Sequence, residues 1–317
     1  MSAEGGNRAI VAALSANLGI AVCKLAAFAF TGSSSMAAEG VHSLADCGNQ
    51  LLLIVGGRRS RREADEEHPF GYGRSRYVYA FVVSIVLFSV GGLFAVAEGV
   101  YKIGHAEPLS SPQWAIAVLV VSVLLESLSL RTAVRAAAPV RAGRAWLGFV
   151  RHAKSPELPV VLLEDTGALA GLLVALVGVS VAALTGDGRW DGAGSLAIGV
   201  LLVAIAGFLA VEMNSLLIGE AALPEEIAAI RAALEGTPAV SRVIHLRTLH
   251  LGPDELLVGA KIAVAHDDTA AAVARAIDAA EVRVRAAVPT ATLIYLEPDI
   301  DRSAGGAGIS GLEHPSG

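Results

Sequence analysis

The sequence predicts an α-helical membrane protein, in which a six-helix transmembrane bundle is followed by a small α+β domain. Of the 317 residues, 54% are hydrophobic and only 17% are charged, whereas charged residues make up about a quarter of an average soluble domain. The mean hydropathy is +0.60. Six apolar segments approach the ~20 residues that a helix needs to cross a bilayer, and they lie at about 8–30, 34–57, 78–100, 114–130, 158–184 and 192–217.

Basic residues are concentrated in two of the loops between these segments. The third and fifth loops contain only Lys102 and Arg189, whereas the second and fourth loops are rich in arginine. By the positive-inside rule, the arginine-rich loops and both termini are cytoplasmic. Because topology explains the basic residues, the net charge of −6 gives no indication of nucleic-acid binding. The high arginine and alanine content is typical of a G+C-rich bacterium, so we expect a multi-pass, lipid-embedded protein of a bacterial inner membrane.

After Leu217 the pattern changes to that of a small domain. Pro224 begins a helix with two glutamates in its first turn, which is favourable near the positive end of the helix dipole. Two β-rich runs at 240–251 and 256–264 flank a Gly-Pro-Asp-Glu turn and predict a hairpin. An alanine-rich helix at 269–287 and a strand at 292–296 complete an α-β-β-α-β order of the ferredoxin-like type.

These patterns predict three parts of the chain. Residues 1–220 form the six-span transmembrane domain, and residues 221–300 form the cytoplasmic α-β-β-α-β domain. Residues 301–317 are rich in glycine and serine, and we expect them to be disordered.

A histidine and two carboxylates occupy one face of the second apolar segment. Glu39, His42 and Asp46 follow one another at intervals of three and four residues, which places them on the same side of a helix. Ionisable groups are costly at this depth and are typical of ion pathways, and imidazole and carboxylate are ligands for divalent transition metals. The alternative for His42 and Asp46 is a polar pair that joins helices by hydrogen bonds. The addition of Glu39 favours an ion site.

The stretch His42-Ser-Leu-Ala-Asp46 is followed, in the next loop, by Asp65-Glu-Glu-His68-Pro-Phe-Gly-Tyr72-Gly-Arg74. Together with the six apolar segments and the α-β-β-α-β tail, these motifs resemble the cation diffusion facilitator family of metal transporters. The resemblance implies a homodimer that exports Zn²⁺, or a similar divalent cation, from the cytoplasm in exchange for protons. The metal is then a transported substrate, and no prosthetic group is expected.

The resemblance also implies that the fifth segment completes the site. The family usually has a second His-x-x-x-Asp motif there, whereas this chain has Glu164 and Asp165 in Val161-Leu-Leu-Glu-Asp-Thr166, as in a zinc-transporter-like branch of the family. Adjacent helical residues point about 100° apart, and register favours Asp165 as the ligand. Because this pair starts its helix while His42 and Asp46 lie at mid-membrane, the site needs a shifted helix or a water-filled cavity. The alternative role for the pair is a partner of the helix dipole.

Two further family positions fall in the loop after the second segment. Asp65 and His68 match residues that form a second metal site in the family, but Tyr72 stands in place of a third ligand. The loop is therefore expected to be structural first and an ion relay second. In the tail, the family's metal positions fall near Ile244, Ala260 and Leu296, none of which can coordinate zinc, so dimerisation is the expected role of the tail.

The expected function is proton-coupled efflux of a divalent cation, most simply Zn²⁺, through a site formed by His42, Asp46, Asp165 and Glu164. Glu39 is the first candidate to complete the site if the fifth segment supplies no ligand. An exporter of organic cations is the main alternative, and it would need an aromatic cavity, although aromatic residues make up only 5% of the chain. An intramembrane metalloenzyme is a weaker alternative, since the sequence contains no His-Glu-x-x-His motif.

Overall fold

The computed structural model describes residues 2–31, 34–86, 91–106, 112–141 and 143–300, without the side chains of residues 2–8, 27–28, 30–31, 34–42 and 45. The side chains of Glu39 and His42 therefore lie outside the described residues, and so does the tail 301–317, which was predicted to be disordered. The chain divides into two compact units, Met1–Ile218 and Gly219–Gly317.

The first unit consists of long helices that follow the predicted apolar segments. Five of them are continuous: α1 (Ser2–Thr31), α2 (Ser34–Arg59), α5 (Pro112–Arg141), α7 (Glu157–Thr185) and α8 (Arg189–Ile218). The third segment consists of α3 (Ser75–Val86) and α4 (Phe94–Gly104), with a π-helical turn at residues 91–93 before α4. A short helix, α6 (Trp146–His152), lies in the loop between α5 and α7.

Within the described residues, five of the six segments are apolar enough and long enough to cross a membrane. The second segment, α2, lies partly outside the described side chains, and its sequence contains Glu39, His42, Asp46, Asn49 and Gln50. Its 26 residues extend over about 39 Å, which exceeds the ~30 Å of a bilayer core. The polar residues that distinguish α2 include those that were predicted to bind ions.

Glycines allow α4 and α8 to pack closely. Gly92 and Gly99 are seven residues apart, and so are Gly192 and Gly199 on the opposing helix. A Cβ atom on Gly199 would lie only 2.5 Å from the backbone nitrogen of Val96. Small residues at helix interfaces let backbones approach in membranes, so α4 and α8 form one closely packed pair.

The apolar core of the first unit lies at one end of the bundle. It is formed by α3, the short α6, the first turns of the described part of α1 and of α7, the last turns of α2 and α5, and the second half of α8. Its largest fully buried side chains include Tyr77, Leu158, Leu209 and Met213. Because these side chains are fully buried, this end of the bundle is densely packed. It is the end that adjoins the arginine-rich loops.

The second unit confirms the predicted α-β-β-α-β order. Its three strands are arranged in the order β1-β2-β3, with β1 antiparallel and β3 parallel to β2. Residues of both helices, including Ile230 and Val284, pack with alternate residues of β2, including Val258 and Ile262. The elements are α9 (Pro224–Glu235), β1 (Arg242–Gly252), β2 (Glu255–Val264), α10 (Ala270–Ala287) and β3 (Ala291–Ile300).

The predicted end of the last strand was wrong. The strand was expected to stop at Leu296, before Pro298, but β3 continues to Ile300 and pairs Pro298 with Ile262. Because β3 is an edge strand, a proline that donates no backbone hydrogen bond is tolerated there.

Candidate functional site

A cavity of about 230 Å³ lies among α1, α2, α4, α5, α7 and α8. Along α7 its lining extends from Glu164 to Val179, which corresponds to about 22 Å of helix. The cavity extends from the middle of the bundle toward the ends of α4 and α7 and the start of α8. It therefore adjoins the apolar core only at Leu202 and its neighbourhood on α8, and it lies away from the arginine-rich loops.

Four carboxyl groups line the inner part of this cavity. They belong to Asp46 on α2, Glu126 on α5, and Glu164 and Asp165 on α7. Glu126 and Asp165 are each 2% exposed and Glu164 is 6% exposed. The structure thus brings Asp46 and the predicted Glu-Asp pair to one cavity and adds a fourth acidic residue.

The carboxylate of Glu164 is held by two amide side chains of α2. Gln50 Nε2 donates to Glu164 Oε2 at 2.7 Å, and Asn49 Nδ2 donates to Glu164 Oε1 at 3.3 Å. All three side chains are buried. Both carboxylate oxygens of Glu164 are therefore engaged in the contact between α7 and α2.

Asp165 points to a different helix. Its Oδ2 accepts a hydrogen bond of 2.7 Å from Ser129 Oγ on α5, which is the one hydrogen bond of Asp165 within the described residues. The two adjacent carboxylates therefore face different neighbours, as the 100° rotation between consecutive helical residues requires.

The contact with Asn49 and Gln50 also fixes the depth of Glu164 relative to Asp46. These amides come one turn after Asp46, so Glu164 lies about 5 Å along the bundle from Asp46. Along the bundle axis, Glu164 and Asp46 are therefore separated by only about one helical turn. The cavity, which both residues line, extends across this separation.

The described residues contain no group of three or more histidine, cysteine, aspartate or glutamate side chains that could hold a metal ion. Because the side chains of His42 and Glu39 lie outside these residues, the proposed four-ligand set stays a prediction. Asp46 lies on the face of α2 that also bears His42, one turn earlier.

The sequence analysis did not identify Asn49, Gln50 and Ser129 as partners of the acidic residues. Asn49 and Gln50 lie three and four residues after Asp46, so the helical spacing that joined Glu39, His42 and Asp46 would have found them. Ser129 had no such signal, since serines in membrane helices commonly bond their own backbone.

An ion pair closes the densely packed end of the bundle. Arg76 Nε at the start of α3 lies 2.6 Å from Glu157 Oε1 at the start of α7, and both side chains are only 7% exposed. The interaction is a close contact of opposite charges. Neighbouring Tyr77 and Val161 are fully buried, so the cavity does not reach this end.

A second ion-pair group lies at the opposite end of the cavity. Lys102 Nζ is 2.9 Å from Glu98 Oε1 on its own helix and 2.9 Å from Asp191 Oδ2 on α8. All three residues line the cavity. The mouth thus combines two carboxylates with one ammonium group.

The loop residues Asp65 and His68 lie together. Asp65 accepts hydrogen bonds from the Tyr72 hydroxyl at 2.8 Å, the His68 backbone N–H at 2.8 Å and the Arg62 guanidinium at 3.0 Å. The bond from Tyr72, followed by that from His68, lowers the pKa of Asp65 below its ordinary value. The same bond raises the pKa of Tyr72. Because Asp65 is used in closing the loop, its role as an ion relay stays a prediction.

Comparisons with known proteins agree with this architecture. The family model described as the cation efflux transmembrane domain matches residues 10–218. The chain is 31% identical over 265 residues to a Xenopus laevis protein named "Proton-coupled zinc antiporter SLC30A9, mitochondrial", covering 83% of this chain and 47% of the relative. It is 29% identical over 264 residues to "Metal tolerance protein C4" of Arabidopsis thaliana, covering 82% of this chain and 57% of the relative.

A third relative matches over more of its own length. The chain is 26% identical over 251 residues to "Cation-efflux pump FieF" of Klebsiella pneumoniae, covering 79% of each protein. By contrast, the chain spans only about half the length of the first two relatives. Its membrane helices, its second α+β unit and the match over residues 10–218 show that the chain belongs to the cation diffusion facilitator family of metal transporters.

Proposed function

We propose that this protein exports a divalent metal cation, most simply Zn²⁺, from the cytoplasm in exchange for protons. The observation that carries the proposal is the set of three carboxylates, Asp46, Glu164 and Asp165, that line one cavity of a cation-efflux domain. Relatives named as zinc antiporter and cation-efflux pump support the class of substrate and the coupling.

The proposed ligands are His42, Asp46 and Asp165, with Glu164 beside them. Imidazole and carboxylate oxygens suit a tetrahedral zinc site. The histidine is the ligand that distinguishes Zn²⁺ from harder cations, because an all-oxygen site would suit Mg²⁺, Ca²⁺ or Mn²⁺. Asp165 is preferred to Glu164 because the latter is occupied by two amides.

The shape of the bundle supports an exchange cycle. If the arginine-rich loops are cytoplasmic, as the positive-inside rule predicts, the cavity is open toward the outside and Arg76 and Glu157 close the cytoplasmic end. Metal ligands must be deprotonated to bind, so metal and protons compete for the same groups. In the outward-facing form, protons displace the metal; in the inward-facing form, metal from the cytoplasm displaces the protons. We propose a bacterial inner membrane as the location and a homodimer as the working form.

The lining of the cavity does not favour an exporter of organic cations. Phe94 is the single aromatic residue among the described residues that line it, whereas recognition of organic cations typically uses aromatic faces. Buried carboxylates beside a histidine-bearing helix are better suited to a small metal ion.

The test uses purified protein in vesicles that contain a zinc-sensitive dye and maintain a pH gradient. Wild-type protein is expected to move Zn²⁺ against the proton flux, and His42→Ala and Asp46→Ala are expected to abolish this movement. Asp278→Asn, which alters an exposed residue of α10, is the control for a lost carboxylate elsewhere. Normal zinc flux in either site variant would overturn the assignment of the site, and the absence of flux in the wild type would overturn the proposed function.

A further inference from the structure

A lysine is buried at the inner part of the cavity. Lys24 on α1 is 5% exposed, and its Nζ donates a hydrogen bond of 3.1 Å to Ser43 Oγ on α2. Ser43 directly follows His42 and precedes Asp46 by three residues. The ammonium group therefore lies against the segment that bears the proposed metal ligands. A lysine is almost never fully buried unless its charge is compensated, and a hydroxyl group carries no compensating charge.

The compensating charge comes from the acidic residues of the same cavity. Glu126 lines the cavity together with Lys24, Asp46, Glu164 and Asp165. Among the described lining residues, Lys24 is the one basic side chain at the inner end. Lys102 lies at the mouth and is already bound to Glu98 and Asp191.

We infer that the ammonium group of Lys24 is the internal counter-cation of the transport site. It neutralises the carboxylate charge that protons leave uncompensated when the carrier holds no metal, and it weakens the binding of the divalent cation when the carrier is loaded. This role rests on the proposed function, because it assumes that a metal ion occupies the cavity in part of the cycle.

The charge of Lys24 affects both the metal-free and the metal-loaded carrier. Several carboxylates without a cation are costly to keep in a water-poor bundle, so an empty carrier with no counter-charge would resist closing around them. A divalent ion that enters beside Lys24 meets a like charge, which lowers its affinity and allows it to leave. Since Lys24 is tethered to α1, it provides this charge in every cycle without being transported.

Removal of the Lys24 charge should have opposite effects on zinc binding and on net zinc efflux. Lys24→Met and Lys24→Gln remove the charge, so zinc binding should become about tenfold tighter or more. Net proton-driven zinc efflux should fall about tenfold, because the empty carrier returns slowly. Zinc-for-zinc exchange across the vesicle needs no empty return step, so it should fall less than net efflux, by no more than the slower release of the tighter-bound zinc. A purely structural role for Lys24 would instead weaken binding, efflux and exchange together.

Two further variants separate charge from packing. Lys24→Arg keeps the charge and should keep zinc affinity within about threefold of the wild type. Ser43→Ala removes the hydroxyl partner but leaves the ammonium group, so its zinc affinity should not rise. Binding is measured by calorimetric zinc titration in detergent, and efflux and exchange are measured in the same vesicle preparation.

A charge-balanced double variant keeps the test valid if the single variants do not fold. Lys24→Met combined with Glu126→Gln removes one charge of each sign, so its zinc affinity should return to within about threefold of the wild type. A double variant outside that range, or a folded Lys24→Met protein that binds zinc no more tightly than the wild type, would overturn the inference. These outcomes leave the proposed function intact as long as the wild type transports zinc in the same vesicles.

Discussion

At the scale of single residues, the two neighbouring carboxylates of α7 have different surroundings. Glu164 accepts from Gln50 and Asn49 with both oxygens, whereas Asp165 accepts from Ser129 with Oδ2. Within the described residues, Oδ1 of Asp165 therefore remains available to a ligand. Glu164 ties α7 to α2, while Asp165 is better placed to bind an ion.

This difference predicts unequal effects of two matched substitutions. Asp165→Asn and Glu164→Gln each remove a charge and preserve side-chain size. We expect Asp165→Asn to weaken zinc binding by more than about 100-fold and Glu164→Gln by only about tenfold, since the loss of a supporting partner typically costs 10- to 100-fold. Calorimetric zinc titration of both variants in detergent measures the difference. A larger effect of Glu164→Gln would show that the ligand is Glu164, one residue earlier in the helix.

At the scale of helices, the close packing of α4 and α8 depends on glycines at seven-residue intervals. These glycines leave room for backbone contact that no larger residue would allow. The two helices also share the ion pair between Lys102 and Asp191 at the mouth of the cavity. They therefore behave as one packed element that forms a wall of the cavity.

Two glycines of α8 provide a matched test of this packing. A Cβ on Gly199 would lie 2.5 Å from the Val96 nitrogen, whereas a Cβ on Gly207 would meet nothing within 4 Å. Gly199→Ala should therefore lower the free energy of unfolding by about 1–3 kcal/mol through overpacking. Gly207→Ala should be neutral or raise it by up to about 1 kcal/mol, because alanine favours a helix over glycine. Thermal unfolding in detergent measures both, and equal effects would contradict the packing argument.

At the scale of the whole first unit, the packed end and the cavity end of the bundle are different environments. The apolar core and the buried pair of Arg76 and Glu157 lie at one end. The cavity, with Lys102 and Asp191 at its mouth, extends to the other. An alternating-access cycle requires this asymmetry to reverse, so the ion pair must separate when the packed end opens.

Breaking this ion pair should loosen the packed end selectively. Glu157→Gln leaves the Arg76 charge buried without its carboxylate partner, which typically costs about 3–5 kcal/mol. We expect faster hydrogen exchange in residues 75–86 and 157–165, with little change in residues 94–104. Glu235→Gln is the control, since its pair with Arg231 is about half exposed and such surface pairs contribute little. Uniform exchange along the bundle would show that Glu157 does not hold this end closed.

Much of this molecule could be predicted from local sequence patterns. Apolar segments of membrane-spanning length and the hairpin signal at Gly252–Glu255 predicted the helices and the α-β-β-α-β unit, and the structure confirms that class. The motif from His42 to Asp46 predicted the family, which the match over residues 10–218 confirms. The prediction of β3 was wrong at Pro298, because whether a strand is at the sheet edge is not a local property.

What the sequence by itself determined was therefore the class of the protein, the order of its elements and the ionisable residues on one face of α2. Only the tertiary structure decided which of these groups meet. Gln50 and Glu164 are 114 residues apart in the chain, and Ser129 and Asp165 are 36 residues apart. Helical periodicity specifies the direction of a side chain relative to its own helix axis, but partners on other helices depend on how the bundle packs. For the same reason, the burial of Lys24 among four carboxylates follows only from the arrangement of α1, α2, α5 and α7.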